Sequence, residues 1–492
     1  MSDQKSSYRQ IMKATSIFGG VQVFNILIQL VRSKVVAVLL GPAGMGIMGL
    51  FQTALALVSS ATNFGLGTSA VRDISEAATS DDEEKIAQTV GVFRKLVWFT
   101  GGLGLVLTAV LAPLLSKITF GNYDYTYAFI ILALTLLAGQ LSSGQLVLLQ
   151  GLLKIKLLAK ANIIASLAGL IASLPLFWFF GTQGIVPALV VIAVITLAIE
   201  YYYASRIKIR SSAVTVAQAL VKGKGMLKMG FLISLSGLIT VAASYVVRIF
   251  ISNTGTLEDV GLFSAGFAII GTYVGLVFSA MGTDYYPRLS AVNHDMKQAS
   301  ELIIQQAEIA VIILAPLVVI FMIFIDWITV LIYSQKFLPI SGMVHWAMLG
   351  ILFKAVSWAV AFLFLAKADS KIYFWNELVA NIYLLLLNCA GYYWLGLKGL
   401  GISFMVSYLL YLIQVVLITR LRYGMYISPR FFLMVAGFMV QAASGFAIAH
   451  YLESWPRYIA GMVIIGITAT LSLVLLNRRM PLLNMIKTKI KK

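Results

Sequence analysis

ATSIFGGVQVFNILIQLVRSKVVAVLL, residues 14 to 40, is an almost unbroken apolar run with an arginine and a lysine in its last third. Roughly 20 apolar residues span a bilayer as a helix, so the run is long enough to cross. The expected fold follows from whether Arg32 and Lys34 break that reading or are exceptions within it. The rest of the chain answers this. Of its 492 residues 60% are hydrophobic and 11% charged, too apolar for a soluble domain of any class. In hydrocarbon every backbone N–H and C=O needs an internal partner, which leaves helices as the natural spanning element here.

Further apolar runs fall at about 44–70, 89–114, 125–150, 158–180, 184–205, 228–251, 259–283, 301–325, 342–366, 373–395, 399–421, 431–451 and 457–476. With the first they make about fourteen, and "DWITVLIY" (326–333) is apolar enough to lie at the interface. The expected fold class is all-α integral membrane. The first run is too long for a secretory signal and no small-residue cleavage site follows it, so residues 1–13 are expected to stay in the cytoplasm.

The net charge of +18 would suggest nucleic acid in a soluble protein, but its distribution gives another account. With the N-terminus inside, 29 of the 37 lysines and arginines fall in inner loops and the tail, while the outer loops hold only Lys117, Lys336, Lys398 and Arg457. That asymmetry is the positive-inside pattern, with both termini cytoplasmic and no nucleic-acid partner. The single cysteine, Cys389, excludes a disulfide framework, and His294, His345 and His450 stand isolated, so no metal site or other cofactor is expected. No phosphate-binding loop or nucleophile constellation appears.

The longest polar interval, residues 206–227, divides the chain after the sixth run and reads as a cytoplasmic linker. It would separate an N-lobe (1–205) from a C-lobe (228–421), with residues 422–492 adding two helices and a basic tail. Arg32 and Arg248 are 216 residues apart, and so are Arg72 and Arg288. Two six-helix halves of even span number would be parallel repeats, a transporter arrangement that binds substrate between lobes.

Four segments carry a family resemblance: "LLGPAGMGIMGLFQ" (39–52), "YYPRLSAV" (285–292), "IYSQKF" (332–337) and "FKAVSWAVAFLFLAKADSKIYFWNEL" (353–378). They resemble the bacterial O-antigen and polysaccharide repeat-unit flippases of the Wzx type, in the superfamily that also holds the drug/cation antiporters and the lipid II flippase. The resemblance implies two pseudo-symmetric six-helix lobes around a cationic central cavity, plus two C-terminal helices. It implies movement of an undecaprenyl-pyrophosphate-linked oligosaccharide from the cytoplasmic to the periplasmic leaflet of the inner membrane by alternating access. The implied protein is a monomer working beside a polysaccharide polymerase and a chain-length regulator.

Charged groups inside spans are costly, at least ~2.5–3.5 kcal/mol each at mid-bilayer, so they either reach for water or face a cavity. Arg32, Lys34, Arg248 and Lys354 are the four basic residues that remain once those of the loops, the tail and the inner run ends are set aside. Arg32 and Lys34 lie roughly 200° apart on a helix and cannot share one narrow face. Lys354, near the middle of its run and without a carboxylate at helical spacing, is the strongest candidate. The acids Glu200, Asp284, Asp326, Asp369 and Glu377 all fall near run ends, which leaves a cationic interior suited to pyrophosphate. Asn25 and Gln29 form a polar stripe with Arg32, while Asn63, Gln140, Tyr245 and Asn381 are either further cavity lining or interhelical hydrogen bonds. Arg72 and Arg288 read as positive-inside anchors or as gate contacts for the incoming pyrophosphate, and Glu377 as an interfacial acid or a gate residue. Gly271 and Gly275 form a GxxxG step expected to set close helix packing. The coupling ion, H+ or Na+, is left open. Two rivals stand: a drug/cation antiporter of the same superfamily, which needs buried carboxylates, and a membrane polymerase or glycosyltransferase, for which the longest outer loop of about sixteen residues is small.

Overall fold

The computed structural model describes residues 2–79, 82–207 and 214–479, with the side chains of the first helix from Phe24 onward. Residues 80–81 of the acidic loop, 208–213 of the linker and the tail from 480 lie outside the described residues. Every regular element among the described residues is helical. Eleven continuous helical stretches are long and apolar enough to cross a membrane, and three of them, Phe24–Thr62, Ile155–Ser205 and Ser370–Tyr423, each carry two of the fourteen apolar runs.

Those three stretches break at glycines of one kind. Gly41 (φ 66°, ψ −173°), Gly181 (φ 53°, ψ −128°) and Gly396 (φ 58°, ψ −142°) occupy a backbone region essentially reserved for glycine. A Cβ would meet nothing within 4 Å at any of the three, so glycine is required by conformation and not by crowding. At Gly396 the chain doubles back: Ser403 Oγ donates to the Leu387 carbonyl at 2.6 Å, sixteen residues away in sequence. Sixteen residues of straight helix would separate those groups by about 24 Å.

The chain packs as two units, Met1–Gly261 and Leu262–Lys492. The first contains α1 (Ser2–Thr62), α2 (Leu66–Thr79), α3 (Glu83–Phe120), α4 (Thr126–Gly151), α5 (Ile155–Phe180), α6 (Ile185–Ser205), α7 (Val216–Lys222), α8 (Lys224–Thr254) and the start of α9 (Leu257–Ala268). The linker is thus partly helical: Thr215 and Gln218 form a reciprocal cap that starts α7, and Ala219 is buried. Within this unit α1 packs on α3, α5 and α8. Phe51, from the segment carrying the family resemblance, is fully buried, with ring centroids 5.1, 5.8 and 5.2 Å from Phe120, Tyr125 and Phe129.

In hydrocarbon, helices associate through close packing and not through exclusion of water, which favours small residues at crossings. A Cβ on Gly46 would lie 1.9 Å from the Leu257 carbonyl oxygen, and one on Gly65 2.2 Å from that of Gly230. The GxxxG step expected to do this work does not. A Cβ at Gly271 or Gly275 meets nothing within 4 Å, and Ile269–Val274 between α9 and α10 (Gly275–Ala291) is a π-helical turn.

The second unit continues with α11 (Met296–Ile332), α12 (Ser341–Ala366), α13 (Ser370–Tyr423), α14 (Pro429–Tyr451) and α15 (Ser454–Arg479). "DWITVLIY" is the end of α11, continuous with the span before it. α12 is buried along most of its length between α11 and α13. α14 and α15 pack on α11, where Arg457 pairs with Asp326 at 2.8 Å.

Candidate functional site

Within the first unit, α1, α5 and α6 enclose a cavity of about 390 Å³. α1 contributes Asn25, Gln29 and Arg32, α5 contributes Asn162 and Ser166, and α6 contributes Thr196 and Glu200. The α1 residues follow each other at one helical turn and so share a face. Ser166 Oγ donates to Asn25 Oδ1 at 3.4 Å. Arg32 is half-buried and, among the described residues, has no hydrogen-bond or ion-pair partner. Its guanidinium therefore faces the cavity as an unused fork of donors.

Glu200 corrects the expectation of a purely cationic interior. It is 3% exposed, accepts a hydrogen bond from Ser142 of α4, and lines the same cavity as Arg32. Position along the sequence placed it near a run end, but depth along a helix does not determine which face it occupies. Glu308 of α11 is buried as well.

Lys34 lies elsewhere. It borders an apolar groove between α1 and α5, lined by Val38, Pro175, Trp178 and Phe179, and is absent from the lining of the Arg32 cavity. Arg248 bends back onto its own helix, donating to the carbonyl and hydroxyl oxygens of Ser244. Tyr245 is buried and shares a hydrogen bond with Thr119 of α3, tying α8 into the first unit.

In the second unit Lys354 of α12 sits in an aromatic cage. Its Nζ is 5.6 Å from the ring centroid of Phe278, 5.8 Å from Phe404 and 5.1 Å from Tyr408. All three are within the distance at which an ammonium is attracted by a ring face. The Tyr408 ring meets Tyr411 edge-on at 6.4 Å, and Tyr411 donates to Glu377 Oε1 at 2.6 Å. Asn376 donates to the same oxygen at 3.3 Å, and Gln414 donates to Asn376 Oδ1 at 2.8 Å. The carboxylate missing from the sequence neighbourhood of Lys354 thus lies on α13, connected through two tyrosines.

The remaining candidates have local partners. Asn63 Oδ1 accepts from the Gly65 backbone N–H at 2.9 Å in the turn after α1. Gln140 donates to Thr100 at 2.9 Å between α4 and α3, and Asn381 donates to the Glu377 carbonyl at 2.8 Å on its own helix. Arg72 pairs with Asp73 at 2.8 Å and Arg288 with Asp284 at 2.9 Å, both exposed. Asn162, Ser166, Thr196 and Glu200 were missed as a group. The polar positions in "KANIIASLAGL" (160–170), one turn apart inside an apolar run, were the available signal. Among the described residues no cluster of histidine, cysteine and acids could hold a metal ion.

A family profile described as "Polysaccharide biosynthesis protein" matches residues 11–293. The chain is 23% identical over 396 residues to the lipid III flippase of Escherichia coli (strain K12), covering 78% of this chain and 91% of that protein. The lipid III flippase of Shigella flexneri matches to the same extent. Among solved structures, the lipid II flippase MurJ in an inward closed conformation superposes with a TM-score of 0.67 at 11% identity, over 94% of this chain and 98% of that one. An inward-facing multidrug resistance MATE family transporter of the MOP superfamily superposes with a TM-score of 0.65 at 16% identity, over 81% and 94%. The chain has the fold of these multi-pass membrane transporters.

Proposed function

The chain belongs to the polysaccharide biosynthesis protein family, and from that premise we propose that it is a flippase for a lipid-linked oligosaccharide, with undecaprenyl pyrophosphate as the lipid and an O-antigen or related repeat unit as the glycan. The observation that carries the reading is the Arg32 cavity: a membrane-embedded guanidinium with no protein partner among the described residues, surrounded by amides and hydroxyls. A planar guanidinium binds phosphate through two parallel N–H···O bonds. Asn25, Gln29, Asn162 and Ser166 supply donors and acceptors of the kind sugar hydroxyls use. The head group enters the cavity while the polyprenyl tail stays in lipid, and alternating access then presents it to the periplasmic leaflet of the inner membrane. Both termini lie in the cytoplasm.

Glu200 supplies the coupling in this scheme. A carboxylate beside the arginine competes with an incoming anion while ionised and ceases to compete once protonated. Proton uptake at Glu200 therefore favours substrate binding at Arg32.

The test is reconstituted transport of a defined pyrophosphate-linked glycan, beside surface-polysaccharide output in cells lacking the native protein. Normal transport by an Arg32→Ala protein present at normal level in the membrane overturns the assignment. The buried Glu200 and the half-buried Glu377 favour a second reading, a drug/cation antiporter. Ion-coupled dye efflux from the same vesicles, without glycan transport, would select it.

A further inference from the structure

A second polar cavity in the first unit is unrelated to the Arg32 site. It measures about 250 Å³ and opens between α3, α4 and α6. Its floor is Phe93, Val97 and Leu148, all buried, and its polar lining is Arg94, Gln145, Tyr201 and Ser205, with Trp98 at the edge. Neighbouring residues on α6 divide the two cavities: Glu200 lines the first and Tyr201 this one, as the 100° step of a helix requires. None of the residues lining the second cavity is acidic. Among the described residues Arg94, Gln145 and Tyr201 make no side-chain hydrogen bond or ion pair, so a guanidinium, an amide and a phenol all remain available as donors.

We propose that this cavity binds the phosphate of an anionic phospholipid headgroup. Arg94 lies toward the start of α3, while Gln145 and Ser205 lie toward the ends of α4 and α6, all on the side carrying the basic loops. Arg94 and Trp98 stand one turn apart on one face, the cation and the amphipathic indole that suit a membrane interface. Arg206, stacked over Tyr202 and Tyr203 at 4.7 and 5.5 Å, adds positive potential beside the opening. Basic pockets between spans on this side favour anionic lipids. From the cavity an exposed apolar stripe runs along α3 through Phe99, Leu103, Val106, Val110 and Leu114, which gives acyl chains a continuous track. A free phosphate would use the donors but not the track. The inference is independent of the flippase reading.

The experiment is quenching of Trp98 in the purified full-length protein by brominated phosphatidylglycerol or brominated phosphatidylcholine, read as wild type minus Trp98→Phe. Phosphatidylglycerol is expected to half-quench at about a tenfold lower mole fraction, because both lipids carry the phosphate but only phosphatidylcholine brings a choline cation up to Arg94. Arg94→Ala should erase that preference, Arg94→Lys restore part of it, and Gln145→Leu reduce it. Millimolar inorganic phosphate should leave it unchanged. Equal quenching by the two lipids in the wild type overturns the proposal, as does an Arg94→Ala protein that keeps the full preference. Displacement of the brominated lipid by inorganic phosphate overturns the lipid assignment in favour of a free anion. If Arg94→Ala does not fold, the wild-type comparison and Gln145→Leu decide.

Discussion

Arg32 in the first unit and Lys354 in the second are positive charges embedded in apolar helices, and their surroundings could hardly differ more. Arg32 opens onto a 390 Å³ polar cavity with no partner among the described residues, whereas Lys354 is ringed by three aromatic faces at 5.1 to 5.8 Å. A desolvated cation–π contact contributes up to about 2 kcal/mol, so three rings offset much of the cost of placing an ammonium in the membrane. At Arg32 no hydrogen bond, ion pair or ring contact among the described residues does the same. A charge already satisfied by the protein has less to gain from a ligand than one that is not. On the proposed reading Arg32 is therefore the better anion receptor, although Lys354 is the stronger candidate on sequence position alone.

The sharpest way to break this comparison is to remove each charge. Arg32→Ala is expected to lower transport of a pyrophosphate-linked glycan about 10- to 100-fold, the range of one or two charge-assisted hydrogen bonds. Arg32→Lys should recover only part, because an ammonium keeps the charge but loses the bidentate fork. Lys354→Leu should cost less, about three- to tenfold, since the rings already stabilise its charge. Equal losses at the two positions in the same vesicle assay would show that the cage does not distinguish them.

Glu200→Gln sharpens the first half of the comparison. Glutamine keeps an oxygen to accept from Ser142 but cannot ionise, and so mimics the protonated acid. If Glu200 competes with substrate for Arg32, the wild type loses transport as pH rises and Glu200 ionises, while the variant holds its rate. Initial rates measured from pH 5 to 8 should diverge at the alkaline end by up to about tenfold, one charge's worth of competition. Parallel pH profiles would remove Glu200 from the mechanism.

How far these sites could be read from the sequence depended on which interactions form them. Apolar runs and their breaks are local, so the helices and the boundaries near Gly41 and Gly396 were legible from hydropathy and glycine alone. Arg32 stood out because a charge within an apolar run is unusual wherever it occurs. Its partners did not: Asn162, Ser166 and Thr196 are ordinary polar residues until α5 and α6 bring them opposite α1. The aromatic cage takes its rings from α10 and α13, neither of them the helix that carries Lys354, and has no signature in either. The GxxxG step at Gly271 misled because the motif states that close approach is possible, not that a partner arrives. Gly46, outside any such motif, meets the backbone of α9 at Leu257.

The smallest effect is expected at Arg72 and Arg288, one of the two arginine pairs that share a spacing of 216 residues. Each is more than half exposed and paired to a carboxylate on its own helix, Asp73 at 2.8 Å and Asp284 at 2.9 Å. Exposed ion pairs are worth roughly 0–1 kcal/mol because water and salt screen them and two long side chains lose freedom. A guanidinium already paired in water also gains little by exchanging its carboxylate for a pyrophosphate. Arg72→Ala and Arg288→Ala should therefore change transport by less than about twofold at 0.15 M salt, with somewhat larger losses at low salt where screening weakens. A loss at either position as large as that of Arg32→Ala, and insensitive to salt, would mean that the substrate is held at the helix end before it reaches the cavity. The contrast that matters would then lie between the gate and the interior of one unit, not between Arg32 and Lys354.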